Sequence, residues 1–97
     1  LNKDDLEQQF NAEVELLLQK TKEEISYPAY FYKLSKRVGG HFEATKILIH
    51  KSTTGFKSLV LKRRLDLSVE KVVIKDKYKN LFTEDDIKIC KEKLGRR

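Results

Sequence analysis

Apolar residues recur along the first 24 positions at the spacing of one helical face. The residues that share this face are Leu6, Phe10, Val14, Leu17 and Leu18. Steps of three and four residues are typical of an amphipathic helix. Asn2 is a suitable cap, and the first turn is acidic, which the helix dipole favours. The pattern predicts a long N-terminal helix over about 3–24. Its apolar stripe is either a core face or a surface for a protein partner or a second copy.

Proline and glycine divide the next part of the chain. Pro28 disfavours a helical backbone at Tyr27, which predicts a break and then a second helix with Ser26 as its cap. Gly39-Gly40 ends that helix, because glycine accepts the left-handed backbone at a helix C-terminus. The glycine pair matches neither spacing of the common phosphate-binding loops, so it does not indicate a nucleotide site.

Short apolar stripes and caps predict the remaining helices. They are expected over 42–50, 55–65 and 69–75 and after Thr83, with a turn at 51–54 and a polar connector at 76–81. Thr53 or Thr54 is a suitable cap for the helix that begins at 55, and Thr83 and Asp86 have the spacing of a capping box. The sequence thus predicts an all-α fold, a compact bundle of five or six short helices. It forms one domain over 1–97, with a helical core over about 28–95 and room for a helix-turn-helix-like unit.

Charge is distributed unevenly along the 97 residues. The net charge is +6, but residues 1–26 carry 3 basic and 7 acidic groups, and residues 27–82 carry 13 basic and 4 acidic groups. An acidic start followed by a basic middle is expected of a chain that meets nucleic acid or another polyanion. A lysine-rich surface that only keeps the domain soluble remains an alternative.

The predicted nucleic-acid interface lies in and around the helix over 55–65. That helix, the preceding turn and the helix over 42–50 have the lengths of a helix-turn-helix. Cations would contact phosphates, and the turn would offer hydroxyls and amides. The predicted contact residues are Lys51, Ser52, Thr53, Thr54, Lys57, Lys62, Arg63, Arg64 and Lys71. The turn lacks the glycine typical of this motif, and base-reading side chains are missing early in the second helix.

Three tyrosines beside basic residues offer a second mode of nucleic-acid contact. Tyr27, Tyr30 and Tyr32 are interleaved with lysines, and such aromatic rings stack on the bases of single strands. Half-buried packing with a solvated hydroxyl is the other interpretation. If nucleic acid is not the ligand, the chain is interpreted as a protein–protein interaction or dimerisation domain, with the N-terminal helix as its contact surface.

The sequence predicts neither catalysis nor a cofactor. His41 and His50 have no carboxylate or thiol at a motif spacing, and with Cys90 they form no recognisable metal motif. Asp66 and Glu70 are assigned local roles: Asp66 as a turn residue, and Glu70 in the first turn of a helix or paired with a neighbouring arginine. The chain is therefore predicted to be a non-enzymatic module without a metal.

Compartment signals favour the cytoplasm. A single cysteine precludes an intrachain disulfide and suits a reducing compartment. No apolar run approaches the roughly 20 residues of a membrane span. The acidic opening is unlike a secretory signal, and a first residue other than Met is consistent with a fragment of a longer protein.

Several segments together resemble a known family. The pattern comprises Gly39-Gly40, Ala44 and Leu48, then Gly55-Phe56 and Leu59, then RLDLSVE at 64–70 and LFT at 81–83, after an LE..F helix. It is similar to a small, widespread family of functionally uncharacterised bacterial proteins. The resemblance covers nearly the whole chain and implies a compact helical bacterial domain, associated with DNA-processing systems. Between Lys57 and Lys79 this chain is more basic than that pattern, so nucleic-acid binding need not be general to the family.

Overall fold

Six α-helices make up most of the computed structural model, which describes residues 2–95. They are α1 (Lys3–Glu24), α2 (Ala29–Val38), α3 (His41–Leu48), α4 (Thr54–Leu61), α5 (Val69–Val73) and α6 (Glu84–Gly95). Short 3-10 helices at Leu65–Leu67 and Asp76–Leu81 join α4 to α5 and α5 to α6. No β-strand occurs in this range, so the predicted all-α bundle is confirmed. Residues 1 and 97, the predicted domain limits, lie outside the described range.

Side-chain caps fix where several helices begin. Asn2 Oδ1 accepts from an amide in the first turn of α1 at 2.9 Å. Thr53 Oγ1 accepts from the amide of Phe56 at 3.0 Å, which starts α4. Thr83 and Asp86 exchange amide-to-side-chain hydrogen bonds of 3.1 and 3.0 Å at α6. These caps satisfy amides that have no acceptor within the helix, and all three predictions of them are confirmed.

The cap of α2 was predicted wrongly. Pro28 precedes the helix directly, and no side chain caps its first amides, so Ser26 has no such role. At the other end, the amides of Gly39 and Gly40 both donate to the carbonyl of Ser35, at 3.0 and 2.8 Å. Gly39 has φ of 104° and Gly40 φ of 147°, conformations that a side chain would strain. The predicted glycine stop is therefore confirmed.

Helix α4 is shorter than the predicted range of 55–65. It ends at Leu61, and Arg63 takes a left-handed backbone with φ of 58°. The amides of Arg63 and Arg64 then donate to the carbonyls of Val60 and Leu59, at 3.1 and 2.8 Å. This is the hydrogen-bond pattern of a Schellman motif, with arginine in the place that glycine usually occupies. The sequence held no glycine there to signal the stop.

Aromatic rings form the centre of the core. The ring of Phe10 lies 5.9, 5.2 and 5.3 Å from those of Phe42, Tyr78 and Phe82, all in edge-to-face geometry. Tyr78 comes from the segment predicted to be a polar connector, which is instead a 3-10 helix with Tyr78 and Leu81 buried. The Tyr78 hydroxyl donates to Glu13 Oε1 at 2.7 Å, which makes burial of this polar group possible.

One lysine of α6 joins four segments of the chain. Lys93 Nζ donates to the carbonyls of Ile49 and Lys51, at 3.1 and 3.2 Å, and to Glu70 Oε2 at 2.6 Å. It also lies 4.6 Å from the centre of the Phe56 ring. The Glu70 and Lys93 side chains are only 5% and 16% exposed, so each charge depends on the other. Glu70 lies in the first turn of α5, as predicted, but it pairs with Lys93 and not with a neighbouring arginine, the alternative that was offered.

We expect Lys93→Met to lower the free energy of unfolding by about 3–5 kcal/mol, because it leaves the Glu70 carboxylate buried without a counterion. The double variant Lys93→Met with Glu70→Gln removes that charge and should lose less than the single variant. Urea titrations followed by circular dichroism measure both. Lys91→Met, the same change at an exposed site in α6, is the control. A single variant no less stable than this control would show that the pair is not required.

The only cysteine should be chemically inert in the folded protein. Cys90 is fully buried, and this burial, with the nearby Glu70 charge, raises the pKa of its thiol to about 12. We expect Ellman's reagent at pH 8 to leave the native protein unlabelled within minutes and to label it promptly in 6–8 M urea, roughly the range that unfolds small proteins. Rapid native labelling would contradict the burial of Cys90.

Candidate nucleic-acid interface

The predicted contact residues lie along α4 and the turns at its two ends. Lys51 and Lys57 are exposed near its N-terminus, and Lys62 and Arg63 are exposed just beyond its C-terminus. The helix axis rises about 7.5 Å over the five residues from Lys57 to Lys62. Lys71 is exposed on α5. None of the five forms an ion pair with any residue of 2–95.

The turn residues retain hydrogen-bonding capacity. Ser52 and Thr54 are exposed, and Thr53 uses only the acceptor capacity of its hydroxyl when it caps α4. The amides of Thr54 and Gly55 begin the helix and have no acceptor within it. These groups are the hydroxyls and amides that the sequence predicted for phosphate contact.

Arg64 differs from the other predicted cations. Its Nη1 lies 2.8 Å from Glu24 Oε1, and its Nε and Nη2 donate to Asp66 at 3.1 and 3.2 Å. These bonds to Asp66 and Glu24 raise the pKa of Arg64, and the guanidinium in turn lowers the pKa of Asp66. The charge of Arg64 is thus already balanced, and it ties the end of α1 to the 3-10 turn at Leu65–Leu67.

Helices α3 and α4 have different packing partners. α3 lies mainly against α1 and α2, whereas α4 lies mainly against the 3-10 turn at Leu65–Leu67. In a helix-turn-helix the two helices pack closely on each other. That unit stays a hypothesis for this chain. The geometry gives more support to α4 as a separate, exposed element with a cleft on either side.

An open cleft of about 520 Å³ lies between α4 and α6. Ile49 and Phe56 form its buried floor, and Lys51 and Lys57 lie at its exposed edge. Leu61 also lines it and is 84% exposed. We call this the leucine cleft. An exposed aliphatic side chain beside an apolar depression is a feature of protein-interaction surfaces.

A second cleft of about 410 Å³ lies on the other side of α4, against the start of α2. Tyr27 and Tyr30 line it, as do Thr54 and Gly55 of α4 and the buried residue Glu70 of α5. We call it the tyrosine cleft. Sequence reasoning identified the tyrosines but missed Glu70 as a lining residue, although its position within an apolar VEKVV helix was a signal that it faces the interior.

Both histidines contact carboxylates that lie far away in sequence. His41 Nε2 lies 2.8 Å from Glu15 Oε1, and its Nδ1 lies 2.7 Å from Ser35 Oγ. His50 Nε2 lies 2.6 Å from Asp86 Oδ1. Burial opposes ionisation of Asp86, yet hydrogen bonds from His50 and Thr83 hold the pKa of Asp86 below its usual value. Sequence analysis considered only partners at a motif spacing. It therefore missed these carboxylates, which are 26 and 36 residues away from His41 and His50.

Glu15, His41 and Ser35 resemble a hydrolase triad in composition but not in arrangement. In the serine-protease triad the hydroxyl contacts Nε2 and the carboxylate contacts Nδ1, and here the two are exchanged. Ser35 is buried within α2, and neither Ser35 nor His41 lines the leucine cleft or the tyrosine cleft. Glu15 also accepts from the Tyr32 hydroxyl at 3.0 Å. Burial and this bond raise the pKa of Tyr32 to about 12.

We expect a fluorophosphonate probe to leave Ser35 of the native protein unmodified, because its hydroxyl is buried and bonded to the wrong imidazole nitrogen for nucleophilic activation. Intact-mass spectrometry after incubation measures the adduct, and a known serine hydrolase is the positive control. Modification at Ser35 that disappears in His41→Ala would contradict this expectation and identify an enzyme.

Within residues 2–95 no group of three or more histidine, cysteine, aspartate and glutamate side chains is arranged to hold a metal ion. No described helix is both long enough and apolar enough to cross a bilayer. No protein-family model matches the chain, and no curated protein or solved structure is significantly similar to it. The family resemblance of the sequence pattern stays a prediction.

Proposed function

We propose that the protein binds nucleic acid without sequence specificity through α4 and its flanking turns, as a non-enzymatic accessory module of a bacterial DNA system in the cytoplasm. The observation that carries the proposal is a local imbalance of charge. Residues 51–71 contain two carboxylates, and both already form ion pairs: Asp66 with Arg64, and Glu70 with Lys93. Five exposed cations therefore remain uncompensated. They are Lys51, Lys57, Lys62, Arg63 and Lys71.

Phosphate contact fits this surface better than base reading in a groove. Lysines, arginines and hydroxyls contact phosphates, whereas base edges are most often read by arginine, asparagine and glutamine, none of which lies within α4. The exposed face of α4 presents Lys57 and Leu61, and no base-reading side chain lies within the helix. Sequence-independent affinity with a strong dependence on salt is the expected behaviour.

We expect a labelled oligonucleotide to bind at about 50 mM salt and micromolar protein, and five phosphate contacts to weaken binding roughly 100- to 500-fold by 200 mM salt. The variant Lys57→Gln, Lys62→Gln, Arg63→Asn should bind more weakly and depend less on salt. Asparagine is used at 63 because it tolerates a left-handed backbone. Fluorescence anisotropy measures both quantities.

A charge-matched control separates this surface from general basicity. Lys33→Gln, Lys36→Gln, Arg37→Gln removes the same charge from exposed positions of α2 that also lack ion pairs among the described residues. It should weaken binding much less than the α4 variant. Equal losses in the two variants, or no binding by the wild type at 50 mM salt, would overturn the proposal.

A protein partner is the second candidate, and the exposure of Leu61 at the leucine cleft favours it. The stripe of α1 that sequence analysis offered for self-association is largely in the core, where Phe10, Val14 and Leu18 are buried. Leu16, 68% exposed, remains available on the outer face. Analytical ultracentrifugation tests this candidate. It would be favoured if the wild type is a dimer, if Leu61→Asp or Leu16→Asp makes it a monomer, and if no nucleic acid binds.

A further inference from the structure

We propose that the tyrosine cleft holds one unpaired nucleobase bearing an exocyclic amino group, with the adjacent phosphate at the N-terminus of α4. The inference rests on the proposed nucleic-acid function and assigns it a single-stranded substrate. A volume of about 410 Å³ is within the usual range of small-ligand pockets and exceeds what one base requires. The wall, the floor and the mouth of the cleft each supply one element of nucleotide recognition.

Tyr30 supplies the stacking wall. Its side chain is 52% exposed and makes no ring contact with any residue of 2–95. Tyr27 is already engaged: its ring is stacked on Tyr32 at 5.5 Å, and Lys22 Nζ lies 5.8 Å from its centre. An exposed ring at the edge of a cleft is a surface on which a base stacks, whatever its sequence. Tyr30 is therefore the platform, whereas the ring of Tyr27 already has Tyr32 and Lys22 as partners.

Glu70 supplies a hydrogen-bond acceptor at the floor. Its Oε2 accepts from Lys93, but its Oε1 makes no hydrogen bond within the described range. Oε1 is nevertheless accessible, because no side-chain oxygen of those residues is both sealed from solvent and unpartnered. Glu70 itself is 4% exposed and lines the cleft. We infer that Oε1 faces this cleft, because Glu70 lines it and does not line the leucine cleft, and that it accepts from a donor of the molecule that enters.

The chemistry of the bases then sets a preference. Cytosine, adenine and guanine present an exocyclic amino group, and a carboxylate accepts readily from the cytosine amino group. Thymine and uracil present a single ring N–H between two carbonyl oxygens. The partial negative charges of these two oxygens repel a carboxylate. The cleft should accordingly favour amino-bearing bases over thymine or uracil.

The mouth of the cleft supplies an anion site. Thr53, Thr54 and Gly55 line it, and the amides at the start of α4 have no acceptor within the helix. A phosphate at this position would leave its base directed toward Tyr30 and Glu70. The same nucleotide would thus use the predicted phosphate contacts and the predicted stacking residues.

Gly55 makes a direct test possible. A Cβ at this position meets no atom within 4 Å, so leucine can be introduced without a clash at Cβ, and its side chain would extend from a residue that lines the cleft. Tyr30→Ala removes the platform. Ala12→Leu, at an exposed position of α1, is the control for an added aliphatic side chain. Thermal melts establish that each variant is folded.

The experiment compares 12-residue homopolymers of dC and dT by fluorescence anisotropy at about 50 mM salt. The wild type should prefer dC by at least about fivefold, the lower limit for one good base contact. Gly55→Leu and Tyr30→Ala should abolish the preference, whereas Ala12→Leu should retain it. The α4 charge variant should weaken both oligonucleotides and keep their ratio. Equal binding of dC and dT that Gly55→Leu leaves unchanged would overturn the cleft inference but leave the proposed function standing.

Mononucleotides test the cleft independently of the basic surface. In ¹H–¹⁵N spectra, dCMP should shift the amides of Tyr30, Gly55 and Glu70, and dTMP should shift them much less. Failure of every oligonucleotide to bind would overturn both proposals. Shifts caused by N-acetyl-lysine methylamide but by no nucleotide would show that the cleft takes a cationic peptide side chain, and would overturn the assignment to a base.

Discussion

The ammonium group of Lys93 is the contact on which the arrangement of the second half of the chain depends. It neutralises Glu70 in the interior, donates to the carbonyls of Ile49 and Lys51 just beyond α3, and lies over the ring that anchors α4. A cation at the end of a helix also interacts favourably with its dipole. Helix α4 otherwise packs mainly on the 3-10 turn at Leu65–Leu67. The contact between Lys93 and the Phe56 ring is therefore what holds α4 against α6. Both clefts have α4 as a wall, so their shape follows from it too.

The acidic helix α1 supplies much of the internal counter-charge. Glu13 binds Lys75 and the Tyr78 hydroxyl, Glu15 binds His41, and Glu24 binds Arg64. Burial opposes ionisation of Glu13, but its lysine and tyrosine partners hold the pKa of Glu13 below its usual value. Three of the seven carboxylates of α1 are thus used in contacts with other segments, and within residues 2–95 none of the seven forms an ion pair with Lys57 of α4. The uneven distribution of charge along the sequence therefore gives an uneven distribution on the surface, with unpaired cations around α4.

Local signals in the sequence determined what could be predicted. Caps at Asn2, Thr53 and Thr83, the glycine stop after α2 and the buried stripe of α1 all depend on residues within four positions of each other. Apart from the cap of α2 and the end of α4, the missed features depend on contacts between distant residues. Glu70 and Lys93 are 23 residues apart, and Tyr78 and Glu13 are 65 apart. A tyrosine among lysines and an aspartate, such as Tyr78, is typical of an exposed connector. Its burial depends on Glu13 of another helix, which accepts a hydrogen bond from its hydroxyl. The cations around α4 could be predicted from the sequence. The sequence did not show that one of them, Arg64, already forms ion pairs with Glu24 and Asp66.

The aromatic contacts of Phe10 have a consequence for folding during synthesis. Its nearest ring partners other than Phe42 are Tyr78 and Phe82, at the far end of the chain. Ribosomes add about 5–20 residues per second, so α1 emerges several seconds before these rings are available. During that interval the apolar stripe of α1 has only part of its final cover. The acidic residues of its other face then limit association between neighbouring nascent chains until the core can close.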